Sequence, residues 1–276
     1  MNVASPARIG RSLAGGAVVL ALSNQPASQA FEQRDFSEPH SYRLPCRPVE
    51  CSFEVYSFSS GRSDARWCWL ALPQRSVTLT TAEIHRSGDI NAAFSREARA
   101  SDLIVTSGGY FGYDAKNRYM PLGLLVSQGR VVRAVKPWRT GGVVSQRSGS
   151  IDVTPLGGFA GPPEVDEALE SMPLLFDNGR VMAPFRGGAA NRAAIGVAAD
   201  GTVIIAGVFA PADRAATLEQ FAEFMNTAAR RRGMTIKSVV ALDGGPSAHL
   251  FIPSLELHFG FDGERYVPNL LHFAAR

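Results

Sequence analysis

The chain of 276 residues is 45% hydrophobic and 19% charged, enough apolar material for one large core and too regular a balance for a disordered or coiled-coil sequence. Lys and Arg number 28 against 25 Asp and Glu, a formal net charge of +3. That balance excludes nucleic acid as the partner, which calls for a basic stripe; the one basic cluster, Arg230-Arg231-Arg232, fits the cationic last turn of a helix instead.

At the N-terminus, Arg8 and Arg11 precede an apolar run, Leu13 to Leu22, and a polar stretch ending Ala27-Ser28-Gln29-Ala30. A basic start, a short apolar core and small residues at the cleavage positions predict a secretory signal peptide over 1–30, cut near Ala30. The run is shorter than the ~20 residues a spanning helix needs, and no second run of that length follows, so no membrane span is expected in the mature chain. Without Arg8 and Arg11 the 28 basic residues become 26 against 25 acidic ones. The expected location is periplasmic or secreted, where disulfides persist. Cys46 and Cys51, flanking Arg47-Pro48, are the expected pair. Cys68, between Trp67 and Trp69, is left over as a buried small hydrophobe.

From Ser52 to Leu79 the residues favour strands: Phe53 to Phe58, Trp67 to Leu72 and Val77 to Leu79, with turn chemistry at Ser60-Gly61. Ile90 to Ala100 predicts a short helix. Leu103 to Thr106 is a β-type run ending in Ser107-Gly108-Gly109-Tyr110-Phe111-Gly112. Hairpins are predicted at Gln128-Gly129, Asn178-Gly179 and Asp200-Gly201, because both residues of such turns must tolerate positive φ. Thr217 and Gln220 form a capping box for a helix whose apolar face is Leu218, Phe221, Ala222, Met225, Ala228 and Ala229, with Gly233 placed to end it. Ile236 to Leu242 then predicts a buried strand that delivers Asp243-Gly244-Gly245-Pro246-Ser247 at its carboxyl end. The expected architecture is α/β in the mixed α+β sense, a hairpin-rich mixed sheet with a few packed helices in a single domain. Its parts are a signal peptide (1–30), a β-rich N-terminal portion (31–100) and the remainder (101–276).

Five segments in order carry a resemblance: Thr106-Ser107-Gly108-Gly109-Tyr110-Phe111, Pro121-Leu122-Gly123, Asn191-Arg192-Ala193-Ala194-Ile195-Gly196, Ala241-Leu242-Asp243-Gly244-Gly245-Pro246-Ser247 and Arg265-Tyr266-Val267-Pro268-Asn269. Together they resemble the motif set of the phosphodiester glycosidase family, from about Leu103 to Phe273, and the family has many exported bacterial relatives. The chain departs from the family pattern at Ser107, where Asn is usual, and at Pro246, where a third glycine is common. The resemblance implies hydrolysis of a sugar 1-phosphodiester at the anomeric carbon–oxygen bond, freeing the sugar and leaving a phosphomonoester. It points to envelope or exopolysaccharide material as the setting.

That chemistry asks for a cation near the departing phosphate and a carboxylate on the sugar side. Phosphate is already a good leaving group, so a strong general acid is less necessary than in ordinary glycosidases. Arg192 is the candidate cation, its planar fork matching phosphate oxygens. Asp243 is the candidate carboxylate, an acid at the end of an apolar strand where an unpartnered charge is costly; an Asx-type turn is the competing role. Glu170 is the candidate second acid. Ser107, Gly108, Gly109, Tyr110, Asn191, Gly244, Gly245 and Ser247 are the expected substrate-binding residues, the glycines through exposed backbone N–H groups. No metal-ligand spacing appears and no cofactor is expected, although Asp243 with backbone oxygens is chemically able to hold a hard divalent cation. His249 is expected as a core histidine bonded to backbone. Gly245-Pro246-Ser247-Ala248-His249 is not a serine-nucleophile elbow. The competing reading is a non-catalytic carbohydrate- or phosphate-binding protein of the polysaccharide machinery, kept open by Ser107 and Pro246.

Overall fold

The computed structural model describes residues 37–46, 51–57, 64–84, 89–261 and 266–276. The signal-peptide segment, the Ser60-Gly61 turn, His85 and Arg265 lie outside the described residues. The chain opens with β1 (His40–Leu44), β2 (Cys51–Tyr56), β3 (Arg66–Leu72), β4 (Val77–Glu83) and α1 (Ile90–Glu97). Next come β5 (Asp102–Ser107), β6 (Phe111–Tyr113), β7 (Tyr119–Pro121), β8 (Leu125–Ser127), β9 (Arg130–Arg133), β10 (Gly142–Arg147) and β11 (Ser150–Pro155). Then follow β12 (Glu167–Ser171), β13 (Leu174–Asp177), β14 (Arg180–Val181), β15 (Arg192–Ala198), β16 (Val203–Phe209) and α2 (Leu218–Arg231). The last elements are β17 (Ile236–Ala241), β18 (Leu250–Ile252), β19 (Leu257–Phe259) and β20 (Asn269–Ala275).

These strands form an eight-stranded sheet in the order β1-β2-β3-β16-β15-β17-β13-β14 and two five-stranded sheets, β11-β10-β12-β8-β9 and β19-β18-β5-β20-β4; β6 and β7 make a separate ribbon. The fold is mixed α+β in a single domain, and neighbouring strands run antiparallel. The β-rich N-terminal portion is woven into the rest. β3 pairs with β16 along its whole length, Arg66 opposite Phe209 through Leu72 opposite Val203. β4 pairs with β20 from Val77 opposite Ala275 to Glu83 opposite Asn269.

The central strands β15, β16 and β17 of the eight-stranded sheet are buried on both faces, which explains their continuous apolar runs, while edge strands β1 and β14 are largely exposed. β16 has no exposed position. Its alternate residues Val203, Ile205 and Phe209 join the core shared with the five-stranded sheets, while Ile204, Ala206 and Val208 face α2. β3 obeys the same period of two: Cys68, Leu70 and Leu72 on the first side, Trp67 and Trp69 on the second. Opposite them α2 lays down Leu218, Phe221, Ala222, Phe224, Met225, Ala228 and Ala229, all buried. Each large side chain among these contributes about 1.5–3 kcal/mol. Both halves of the α2 capping box form: Gln220 N–H donates to Thr217 Oγ1 at 3.3 Å and Thr217 N–H to Gln220 Oε1 at 2.9 Å. α1 is shorter than its sequence suggests, since Ala98 is already extended. Beyond it Arg99 N–H donates to the Asp102 carboxylate at 2.8 Å.

Edge strand β4 is closed by side chains of the neighbouring sheet. Leu79 N–H donates to Gln146 Oε1 at 2.8 Å and Thr81 N–H to Glu167 Oε2 at 2.8 Å. The Thr81 hydroxyl also reaches Glu167 Oε2, and Gln128 N–H meets Glu167 Oε1. Buried polar groups are thus satisfied while an open edge is covered. The turns at Gln128-Gly129 and Asn178-Gly179 have positive φ at both residues, as does Ser148-Gly149, which joins β10 to β11 without an Asn or Asp to announce it. Cys46 and Cys51 form a disulfide beside the β1–β2 pair. Cys68 is free and buried, and burial pushes its thiol far above the ordinary range, so it is an inert core residue. No helix among the described residues is long and apolar enough to cross a membrane.

Candidate functional site

Two strands of different sheets, β5 and β17, end side by side, and their glycine-rich loops are bonded to each other. Asp243 N–H donates to Gly108 O at 2.9 Å, Leu242 N–H to Ala193 O at 2.9 Å, and Gly245 N–H to Asn191 O at 2.9 Å. From the other side Asn269 accepts twice, through its carbonyl from Gly108 N–H (3.0 Å) and through Oδ1 from Gly109 N–H (2.8 Å). Segments 108–110, 191–192 and 242–245 therefore converge, although they are far apart in the chain. Close approach is why glycine is needed here. A Cβ on Gly108 would collide with the Asn269 carboxamide and stand 2.7 Å from Leu169 Cδ1; one on Gly109 would stand 2.8 Å from Glu170 O. One on Gly244 would meet Arg192 Nη1 at 3.1 Å.

Among the described residues, Asp243 and Arg192 act on Tyr110, and Asp213 and Glu219 act on Arg192. Tyr110 donates its hydroxyl to Met172 O at 3.0 Å and sets its ring edge-on to Trp138, centroids 5.8 Å apart. Burial pushes the Tyr110 hydroxyl up to about 12, the Asp243 charge adds to the rise, and the Arg192 charge opposes it. Arg192, at the start of β15, is half-buried, and desolvation lowers its pKa against the support of Tyr110, Asp213 and Glu219. Its Nε donates to Ala216 O at 3.2 Å and its Nη2 to Gly188 O at 2.6 Å. This anchors the fork by two backbone carbonyls, with Nη1 lying against Gly244. Asp213 accepts from Asn191 N–H at 2.9 Å. Burial raises its carboxyl, opposed by that hydrogen bond and by Arg192.

Asp243, Arg192, Tyr110, Asn191, Gly108, Gly109, Gly244 and Gly245 thus come together. Three other sequence candidates stand differently. Ser107 is committed to the β5–β18 seam, where its Oγ accepts His249 N–H at 3.0 Å. Ser247 is buried in the short helical turn 245–247. Glu170 is 0% exposed; its Oε2 accepts Leu124 N–H at 2.8 Å and Lys136 N–H at 2.9 Å. This carboxylate braces two loops through Oε2, with Oε1 enclosed and unpartnered. Asn191 is also a brace: Oδ1 accepts Ala210 N–H at 2.8 Å, and Nδ2 is buried without a partner. His249 is a core histidine, Nε2 at 2.9 Å from Pro246 O. A carbonyl only accepts, so Nε2 carries the proton. Asp213, Trp138 and the Asn269 side chain were not singled out as site residues. Asn269 closes the last quoted motif; Asp213, in Ala210-Pro211-Ala212-Asp213, and Trp138 carry no local signal. Among the described residues no three His, Cys, Asp or Glu side chains are grouped as cation ligands.

The family model of the phosphodiester glycosidases matches residues 101–274, more than half of the chain. No curated protein matches. Among solved structures, the zebrafish N-acetylglucosamine-1-phosphodiester alpha-N-acetylglucosaminidase catalytic domain, auto-inhibited by its pro-peptide, is similar with a TM-score of 0.56 and 15% identity, over 92% of this chain and 85% of that one. A hypothetical protein from Synechocystis is similar with a TM-score of 0.55 and 13% identity, over 87% of this chain and 64% of that one, just under two thirds. A Burkholderia pseudomallei protein described as exported has a TM-score of 0.54 and 13% identity, over 76% and 74%. At these identities the structural likeness concerns the fold. The match over 101–274 carries the assignment itself: the chain belongs to the phosphodiester glycosidase family.

Proposed function

We propose that this protein is an exported glycosidase that hydrolyses a sugar 1-phosphodiester between the anomeric carbon and its oxygen, with envelope or exopolysaccharide glycans as its setting. The observation that supports this most directly is that the Arg192 and Asp243 segments are bonded together, Leu242 N–H to Ala193 O and Gly245 N–H to Asn191 O, with Arg192 Nη1 against Gly244, the residue after Asp243. In the proposed reaction the C1–O bond breaks with its electron pair leaving on the phosphate oxygen. Arg192 Nη1 meets that growing charge, in the manner of guanidinium clamps on phosphoryl groups. Asp243 faces the sugar and stabilises the positive charge spread over C1 and the ring oxygen. Water adds to C1 and gives its proton to the Asp243 carboxylate, which releases it to solvent. Free sugar and phosphomonoester are the products.

Glu170 is given no step here, since it is fully enclosed and its Oε2 is held by two backbone N–H groups. Its task in this reading is to hold the Leu124 and Lys136 loops against the cleft. Export is supported by the signal-peptide pattern of 1–30 and by a disulfide, a link favoured by an oxidising compartment. The test is turnover of a synthetic N-acetylglucosamine 1-phosphodiester by the purified protein, a substrate chosen from the name of the zebrafish relative. Sugar release that falls by about two to three orders of magnitude in Arg192→Ala and Asp243→Ala would support the reading. Wild-type protein that turns over none of several sugar phosphodiesters would overturn it and favour the non-catalytic binder.

A further inference from the structure

Just past Tyr110 the chain enters a ribbon that the proposed reaction does not use. β6 and β7 pair with Phe111 opposite Pro121 and Tyr113 opposite Tyr119. Side chains alternate across a strand, so these four share one face and Gly112 and Met120 share the other. A Cβ on Gly112 would stand 3.1 Å from Leu122 Cδ1, so that second face turns toward the neighbouring Leu122. On the aromatic face the rings touch in series. Tyr119 stacks on buried Tyr266 with centroids 4.3 Å apart, Phe111 meets Tyr119 at 5.3 Å, and Tyr113 meets Tyr119 at 4.9 Å. Tyr113 is nevertheless 59% exposed and Tyr119 43%, the only exposed large aromatic side chains among the described residues.

The surroundings restrict what this surface can receive. At the ribbon tip Asp114 Oδ2 takes Arg118 Nε at 2.8 Å, and near Tyr266 Glu83 takes Arg133 at 2.6 Å. Asp114 is thus paired with Arg118 and Glu83 with Arg133, while Lys116 of the same turn is exposed, so the face suits a ligand with flat apolar surfaces and polar edges. A pyranose ring has that form: its C–H face packs on an aromatic ring while its hydroxyls reach the rim. Tyr113 lies three residues of chain beyond Tyr110, up to about 10 Å in extended backbone.

We propose that the Phe111–Tyr113–Tyr119 face is a saccharide platform continuous with the cleft. It receives a ring of the substrate away from the phosphodiester, and the substrate class is an oligo- or polysaccharide bearing a glycosyl phosphodiester. The substrate assignment rests on the glycosidase reading, whereas the platform itself is open to a separate test.

The experiment is calorimetric titration of the wild-type protein with chitotetraose, maltotetraose and cellotetraose, none of which carries phosphate. At least one binds, its affinity falls about tenfold or more in Tyr113→Ala/Tyr119→Ala, and it stays within about threefold in Tyr113→Phe/Tyr119→Phe, which keeps the rings. Unfolding curves establish that both variants are folded. Binding that survives in Arg192→Ala, with cleavage lost, supports the platform as a site of its own. No tetrasaccharide bound at millimolar concentration, or equal binding by the alanine variant, would overturn the proposal, even if small sugar phosphodiesters are cleaved. A concentration-dependent dimer that the alanine variant loses would also overturn it, assigning the face to a second copy of the chain.

Discussion

Replacing Gly108 by alanine probes the junction on which the cleft is built. The added methyl collides with the Asn269 carboxamide and stands 2.7 Å from Leu169 Cδ1. Leu169 lies in β12 with full burial on both sides, so relief must come from Asn269. Swinging that side chain away breaks its 2.8 Å bond from Gly109 N–H and leaves a buried donor unmet. Overpacking costs about 1–3 kcal/mol and the orphaned N–H about 1–3 more, or ~2–6 kcal/mol together. For a domain of this size that lowers Tm by at least about 4 °C. The matched control is Gly129→Ala, where φ is +72° and nothing stands within 4 Å, so only the left-handed backbone cost of ~1–2 kcal/mol applies. Urea unfolding of both, together with Gly108→Ala/Asn269→Ala, isolates the clash. Deleting the Asn269 side chain removes the obstacle, so the double variant should be more stable than additivity allows by over ~1 kcal/mol. Additive losses, or a Gly108→Ala cost no larger than that of Gly129→Ala, would refute the account of this junction. Because Gly108 O accepts Asp243 N–H, the same variant should also lose turnover.

The disulfide closes a loop of sequence separation 5, so Cys46→Ser/Cys51→Ser should cost about 2 kcal/mol in chemical unfolding on the loop-entropy estimate; no loss would mean the link is strained or idle. Burial holds the hydroxyls of Tyr56, Tyr110 and Tyr266 up at about 12 from an ordinary 10.0. The folded state therefore favours the protonated phenols, and their stabilisation is complete below about pH 10 and lost as pH rises through 12. Absorbance titration should show Tyr56, Tyr110 and Tyr266 ionising late, together with unfolding; ordinary titration of these three in folded protein would contradict this. Glu170→Gln should cost about 1–3 kcal/mol in stability through its weakened N–H bonds while keeping kcat within about tenfold. A loss of two orders of magnitude or more in kcat would return Glu170 to the chemistry.

Local elements were readable where a physical rule acts over a few residues. The α2 helix announced itself by its apolar period and by Thr217 with Gln220, and both cap bonds form. Asn178-Gly179 declared its turn, whereas Ser148-Gly149 adopts positive φ at both residues without that chemistry. Strand order was not readable, since the contact of β3 with β16 or of β4 with β20 joins residues far apart in sequence and leaves no local mark. In the cleft, motif order brought Gly108, Arg192 and Asp243 to attention, and the loops carrying them are hydrogen-bonded neighbours. Spacing says nothing about which way a carboxylate turns. Glu170 turns inward onto Leu124 and Lys136, while Asp213, silent in sequence, comes within the field of Arg192.

The most direct test of the central claim is hydrolysis of an N-acetylglucosamine 1-phosphodiester in water carrying heavy oxygen, followed by mass analysis of both products. Cleavage at the anomeric carbon puts the label in the freed sugar and none in the phosphomonoester, with no labelled sugar from Arg192→Ala or Asp243→Ala. Label appearing in the phosphate would mean attack at phosphorus, and would contradict the account.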